Sequence, residues 1–174
     1  MNWKNPEPEN LLMGTLSKKR MIYINTPINA DVQSLKTNEA EAKLCNDLVD
    51  YLRKLYLHNE VPFQSKKIGI ITPYKAQIAA IMSELDREYL DITVDTVERY
   101  QGSSRDIIII SLCLNSAAQL RTLVSNNSEG IDRKLNVAIT RARHHLIILG
   151  NKELMQVNPT YKLLIDECTE VSLG

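Results

Sequence analysis

The sequence predicts an α/β layered domain with a mainly parallel sheet flanked by helices, and three observations carry that expectation. Short apolar, β-branched runs alternate along the chain with stretches of helical periodicity. The densest run, Ile107-Ile108-Ile109-Ile110-Ser111-Leu112, is apolar on both faces, as an interior parallel strand is. With 174 residues, 44% apolar and 24% charged, the chain has the size and composition of one folded domain, without low-complexity sequence or repeats.

Taken in order, residues 1–20 hold Pro6, Pro8 and the basic Lys18-Lys19-Arg20 without clear periodicity, and read as a lead-in with no assigned function. The domain proper is expected over residues 21–174. Met21-Ile22-Tyr23-Ile24-Asn25, closed by Pro27, fits a buried strand. From Asn38 onward Ala40, Leu44, Leu48, Leu52 and Leu55 recur at three- and four-residue steps, which predicts an amphipathic helix, and Asn38 with Glu41 resembles a capping box at its start. Ile68-Gly69-Ile70-Ile71-Thr72 predicts a second strand, followed by a helix face of Ile78, Met82, Leu85 and Tyr89. Ile92-Thr93-Val94 and the isoleucine run give two more strands. Residues 115–132, with Asn126-Asn127-Ser128 and Gly130, read as a polar loop. A helix is expected from about Arg133 to Arg143, then the strand Leu146-Ile147-Ile148-Leu149 closed by Gly150. Asn158-Pro159 caps a last helix reaching about Cys168.

Composition excludes several classes. Cys45, Cys113 and Cys168 are odd in number and widely spaced, which fits neither a disulfide framework nor a zinc site, and they are expected to be core residues in a reducing, cytoplasmic setting. His58, His144 and His145 lack ligand spacing, so no metal site is expected. The longest apolar run falls far short of the roughly 18 residues of a membrane span, and the polar start carries no signal-peptide core. Lys and Arg total 21 against 21 Asp and Glu, so no global field draws the chain to a polyanion. The charge is nevertheless sorted. Residues 99–143 carry seven basic and three acidic side chains, a net of +4.

In sheets of this class the ligand edge lies at the carboxyl ends of the strands, where the sequence places its special residues. Three segments stand out: Ile71-Thr72-Pro73-Tyr74-Lys75-Ala76-Gln77; Asp95-Thr96-Val97-Glu98-Arg99-Tyr100-Gln101-Gly102; and Arg133-Lys134-Leu135-Asn136-Val137-Ala138-Ile139-Thr140-Arg141-Ala142-Arg143. Together and in this order they resemble motifs IV, V and VI of superfamily 1 helicases, in the 5′-to-3′ branch that includes the nonsense-mediated-decay RNA helicase and the replication helicase-nucleases. The stretch from Ser34 to Ala42 is similar to the segment that precedes motif IV. The resemblance covers about residues 21–151.

It implies the second RecA-like domain of a two-domain motor, with ATP in the cleft between domains and single-stranded nucleic acid, DNA more than RNA, across the top. Arg141, the first arginine of Thr-Arg-Ala-Arg, is then the finger that stabilises the charge of the transferring phosphoryl group. On a helical wheel Leu135, Ala138, Ile139 and Ala142 share one side, and Arg143 falls roughly 160° from Arg141, so the two arginines cannot serve one phosphate. Arg143 is given a structural or interdomain role. Gln101, Gly102 and Ser104 are the nucleotide-binding candidates beside Arg141. Gly102 permits a tight backbone approach, and Gln101 both donates and accepts. The family has Gln-Gly-x-Glu at this place, and here Ser104 stands where the glutamate faces the ribose.

Thr72 and Thr96 are nucleic-acid-binding candidates, able to bond phosphate oxygens, and equally fit β-propensity or turn capping. Tyr74 fits stacking on a base or packing. Asn38 and Glu41 stay with the capping-box reading.

No phosphate loop of the Gly-x-x-x-x-Gly-Lys-Ser/Thr kind and no magnesium-holding Asp-Glu pair occurs in the chain. The resemblance assigns ATP and Mg2+ mainly to a first RecA-like domain, the expected partner, without which this chain is expected to be inactive. A degenerate RecA-like interaction or regulatory module is the alternative.

Overall fold

The isoleucine run lies in the middle of the sheet in the computed structural model, which describes residues 3–29, 36–100, 103–124 and 132–172. The strands are β1 (Met21–Asn25), β2 (Ile68–Ile71), β3 (Thr93–Asp95), β4 (Arg105–Ser111), β5 (Ala142–Gly150) and β6 (Thr169–Val171). Among the described residues they form one sheet in the order β3-β2-β4-β5-β1-β6, with every pairing parallel. The helices are α1 (Leu11–Leu16), α2 (Glu39–His58), α3 (Lys75–Glu84), α4 (Ala117–Leu123), α5 (Arg133–Thr140), α6 (Lys152–Met155) and α7 (Pro159–Glu167).

Successive strand side chains alternate between faces, so each strand feeds two cores. Ile22, Ile70, Ile107, Ile109 and Ile147 meet α1, α2 and α3; Tyr23, Ile108, Ile110 and Ile148 meet α4, α5, α6 and α7. This is the RecA-like α/β arrangement the sequence predicts. Burial on both faces explains the unbroken apolar runs, since each fully buried isoleucine contributes about 1.5–3 kcal/mol. Gly69 in β2 is fixed by close packing: a Cβ there would sit 2.7 Å from the Tyr100 hydroxyl, which donates to the Thr93 carbonyl.

The structure departs from the sequence reading at several places. The lead-in contains α1, capped by Asn10 Oδ1, which accepts from Met13 N at 3.0 Å, and its Leu12, Met13 and Leu16 are buried in the core. A helix this short and apolar shows no period. The polar loop at 115–132 contains α4, opened by a capping box in which Ser116 and Gln119 bond each other's backbone. Asn126, Asn127, Ser128 and Gly130 lie outside the described residues.

At the start of α2 only half the capping box forms. Asn38 Oδ1 accepts from Glu41 N at 3.0 Å, while the Glu41 side chain turns inward. Ala40, expected on the apolar face, is exposed, and Ala42 is buried instead. Met82 is exposed, and Leu85 and Tyr89 are buried beyond the end of α3. Helix α5 ends at Thr140, not Arg143: Ala142 pairs with Arg105 and is already strand. The four residues Ala142 to His145 extend β5 past its apolar centre, and that extension carries no apolar run to reveal it.

Candidate nucleotide and nucleic-acid site

Parallel pairing joins the three motif segments through their backbones. Ile71 pairs with Asp95, and Thr72 N donates to the Asp95 carbonyl at 3.1 Å, which sets the first segment beside the second. Arg105 N donates to the Arg141 carbonyl at 2.9 Å, which sets the second beside the third.

The candidates nevertheless divide between opposite edges of the sheet. Thr72, Tyr74 and Thr96 lie at the carboxyl ends of β2 and β3, where the sequence reading puts the ligand edge. Thr72 is fully buried, and its Oγ1 has no hydrogen-bond partner among the described residues. It lines a cavity of about 360 Å³ whose walls include Ile71, Pro73, Leu112 and Leu135 and whose lining also includes Lys134. Tyr74 caps α3 by position, is half-buried, and bonds Thr122 and Gln119; burial raises its hydroxyl pKa above the usual value. Thr96 N donates to Asp95 Oδ1 at 2.8 Å, and its side chain bonds Glu98. The Lys134 ammonium, 2.9 Å from Glu98, ties α5 to this turn and holds the Glu98 carboxyl below its ordinary range.

Ser104, Arg141 and Arg143 lie at the amino ends of β4 and β5, roughly 20 Å away along a seven-residue strand. Arg141 is the C-cap of α5 and half-buried, with its Nε donating to the Val137 carbonyl at 3.2 Å. Arg143 is on β5 rather than on the helix, which replaces the wheel geometry expected for the two arginines. Its Nε donates to Ser104 Oγ at 2.9 Å and its guanidinium sits 3.7 Å from Asp106. Ser104 is therefore joined to Arg143 and not to Arg141. Gln101 and Gly102 lie outside the described residues.

Sequence reasoning missed a buried polar network beneath the carboxyl edge. Glu41 receives Thr26 Oγ1 at 2.9 Å on one carboxylate oxygen, and Ser111 Oγ at 2.6 Å and Cys113 N at 2.9 Å on the other. Burial raises its pKa to about 7 against the lowering effect of those three donors. Gln77 accepts from Asn38 N at 2.7 Å and donates to the Asn38 carbonyl at 3.0 Å and to Ser111 Oγ at 3.2 Å. Cys113 takes φ 51°, which brings its N–H under Glu41. The network ties the ends of β1 and β4 to the starts of α2 and α3. One signal was present: Glu41 stands in helical register with Leu44, Leu48 and Leu52, on the face that must be buried.

Comparison with known proteins gives the site its setting. A family described as AAA domain matches residues 4–153. Regulator of nonsense transcripts 1 of Dictyostelium discoideum is 35% identical over 163 residues, covering 85% of this chain and 11% of the relative. DNA polymerase alpha-associated DNA helicase A of Saccharomyces cerevisiae is 34% identical over 137 residues, covering 77% of this chain and 18% of the relative. A DNA replication ATP-dependent helicase/nuclease of Arabidopsis thaliana is 30% identical over 158 residues, covering 88% of this chain and 11% of the relative. The chain spans less than a fifth of the length of these curated relatives. With its parallel RecA-like sheet and its three motif segments in order, the chain belongs to this AAA domain family, as the second domain of a superfamily 1 helicase.

Proposed function

We propose that the chain is the carboxyl-terminal motor domain of an ATP-dependent helicase, supplying an arginine finger and part of the single-strand-binding edge. The observation that carries this reading is the backbone joining of the motif segments, Thr72 to Asp95 and Arg105 to Arg141, which couples a strand-binding edge to a phosphate-binding arginine through two adjacent pairs of strands.

Arg141 acts on ATP held by the first RecA-like domain. Its guanidinium leaves the Val137 carbonyl, at a net cost of about 1 kcal/mol, and neutralises charge on the γ-phosphate oxygens. Mg2+ is held, with the ATP, mainly by that first domain, and no step here runs through it. Thr72 and Thr96 hold phosphates of a single strand, DNA more than RNA, and Tyr74 braces their edge against α4. Gln101, Gly102 and Ser104 complete the nucleotide contacts, and the protein works in the cytoplasm.

The test is nucleic-acid-stimulated ATP turnover of the two-domain protein. Arg141→Ala is expected to lower turnover by about 10³-fold, and an unchanged rate contradicts the finger. A second reading, a degenerate interaction module, draws on the replacement of a glutamate by Ser104 and its engagement by Arg143; a wild-type two-domain protein without ATP turnover supports that reading instead.

A further inference from the structure

The three motif segments that the backbone joins also wall one cavity, of about 360 Å³. Tyr74 comes from the first segment, Val97 and Glu98 from the second, and Lys134, Leu135 and Ala138 from the third, with Leu123 added from the end of α4. The volume falls in the range of pockets that take one small organic ligand. The walls are mainly apolar, and the hydroxyls of both tyrosines in them are already engaged, Tyr161 with Asp132 at 3.3 Å and Tyr74 with Thr122 and Gln119.

The charged groups keep to the open side, where Lys36, Glu98 and Lys134 are exposed. Glu98 is the one carboxylate among the described lining residues and is paired with Lys134 at 2.9 Å, so two cations against one carboxylate leave the lining a net +1. An apolar interior accepts an uncharged ring and rejects a phosphate, whose charge finds no partner there. Apolar walls with cations at the opening therefore match the two halves of a nucleotide, its base inside and its phosphate outside.

We propose that the cavity takes one unstacked nucleobase of a bound single strand, with the adjoining phosphates at Lys36 and Lys134. The proposal rests on the strand-binding reading of this edge and adds a base contact to it, because contacts to phosphates alone do not depend on whether a base is present. Tyr74, half-buried in the wall, supplies the aromatic surface on which a base stacks, and the apolar side chains around it cover the rest of the ring.

The test is fluorescence anisotropy of this chain at low salt with two short labelled single strands. One is made of thymidines, and the other carries tetrahydrofuran spacers in place of the nucleosides, which keeps every phosphate and removes every base. The wild type is expected to bind the abasic strand roughly 5- to 150-fold more weakly, the stacking of one base. Ala138→Leu narrows the cavity from α5 while leaving Lys36, Thr72 and Thr96 in place, and is expected to lose most of that difference. Equal binding of the two strands by the wild type overturns the proposal without any variant. A preference that Ala138→Leu keeps in full puts the base outside the cavity and overturns it as well. Thymidine monophosphate that displaces the strand as readily as unlabelled strand does, nucleotide for nucleotide, makes the cavity a site for free nucleotides and not for the strand. If neither strand binds, the strand-binding reading of the edge fails and the proposal with it, whereas equal binding of both strands removes the cavity proposal alone.

Discussion

The two edges of the sheet are built from opposite materials. At the carboxyl edge the polar groups are sunk: Glu41, Gln77, Ser111 and Thr72 are fully buried and bonded to one another or, for Thr72, to nothing described. At the amino edge Arg143, His144 and Lys67, each with about half of its side chain or more exposed, share the largely covered Asp106 carboxylate. Buried groups are held by geometry and are costly to disturb, whereas exposed ion pairs are screened and contribute little to folding. The buried network beneath the carboxyl edge is therefore a fixed frame, whereas the ion pairs of the amino edge add little to folding.

The largest expected stability effect is at Glu41. Glu41→Ala takes the acceptor from the Thr26 and Ser111 hydroxyl protons and the Cys113 N–H in the core and is expected to cost about 3–4 kcal/mol by urea denaturation. Glu41→Gln keeps an acceptor for Ser111 and Cys113 and can donate to Thr26, so it is expected to fold as stably as the wild type at pH 8.

pH sharpens the same point. The folded domain keeps a proton that the unfolded chain releases near its ordinary pKa of 4.5, so wild-type stability falls as pH rises toward about 7 and is level above. Over that window the fall is about 3 kcal/mol, and it is absent in Glu41→Gln. A wild-type stability that climbs between pH 5 and 7 would refute the buried protonated carboxyl.

Thr72→Val replaces an unpartnered buried hydroxyl with a methyl group and is expected to stabilise the domain by about 1 kcal/mol; a loss would mean that the hydroxyl has a partner. The smallest effect is expected at the amino edge. Asp106→Asn weakens ion pairs whose basic partners are about half exposed, Lys67 and Arg143, and should change the unfolding free energy by no more than about 0.5–1 kcal/mol. A cost as large as that of Glu41→Ala would erase the distinction between the edges.

The sheet was legible because the strands β1, β2 and β4 and the centre of β5 are buried on both faces and must be apolar throughout. Helix α2 was legible through its one-sided periodicity. What escaped notice had weaker local signals: α1 is too short for a period, and the start of β5 is a polar extension held by pairing Ala142 to Arg105. The capping box at Ser116 and Gln119 was readable and was hidden inside a polar stretch. For the site, residue types in order were enough to find the family, but not to say which edge each residue occupies. Ser104 and Arg143 are neighbours only through the pairing of β4 with β5, a long-range relation that no local pattern encodes.

That separation of edges has one direct test in the two-domain protein, the activation of ATP turnover by increasing single-stranded nucleic acid. Arg141→Ala is expected to lower the plateau while leaving the half-activating concentration in place. Thr72→Val is expected to raise the half-activating concentration about 3–10-fold, the loss of one phosphate contact, while leaving the plateau in place. If both variants move the same parameter, strand binding and phosphate chemistry are not divided between the two edges.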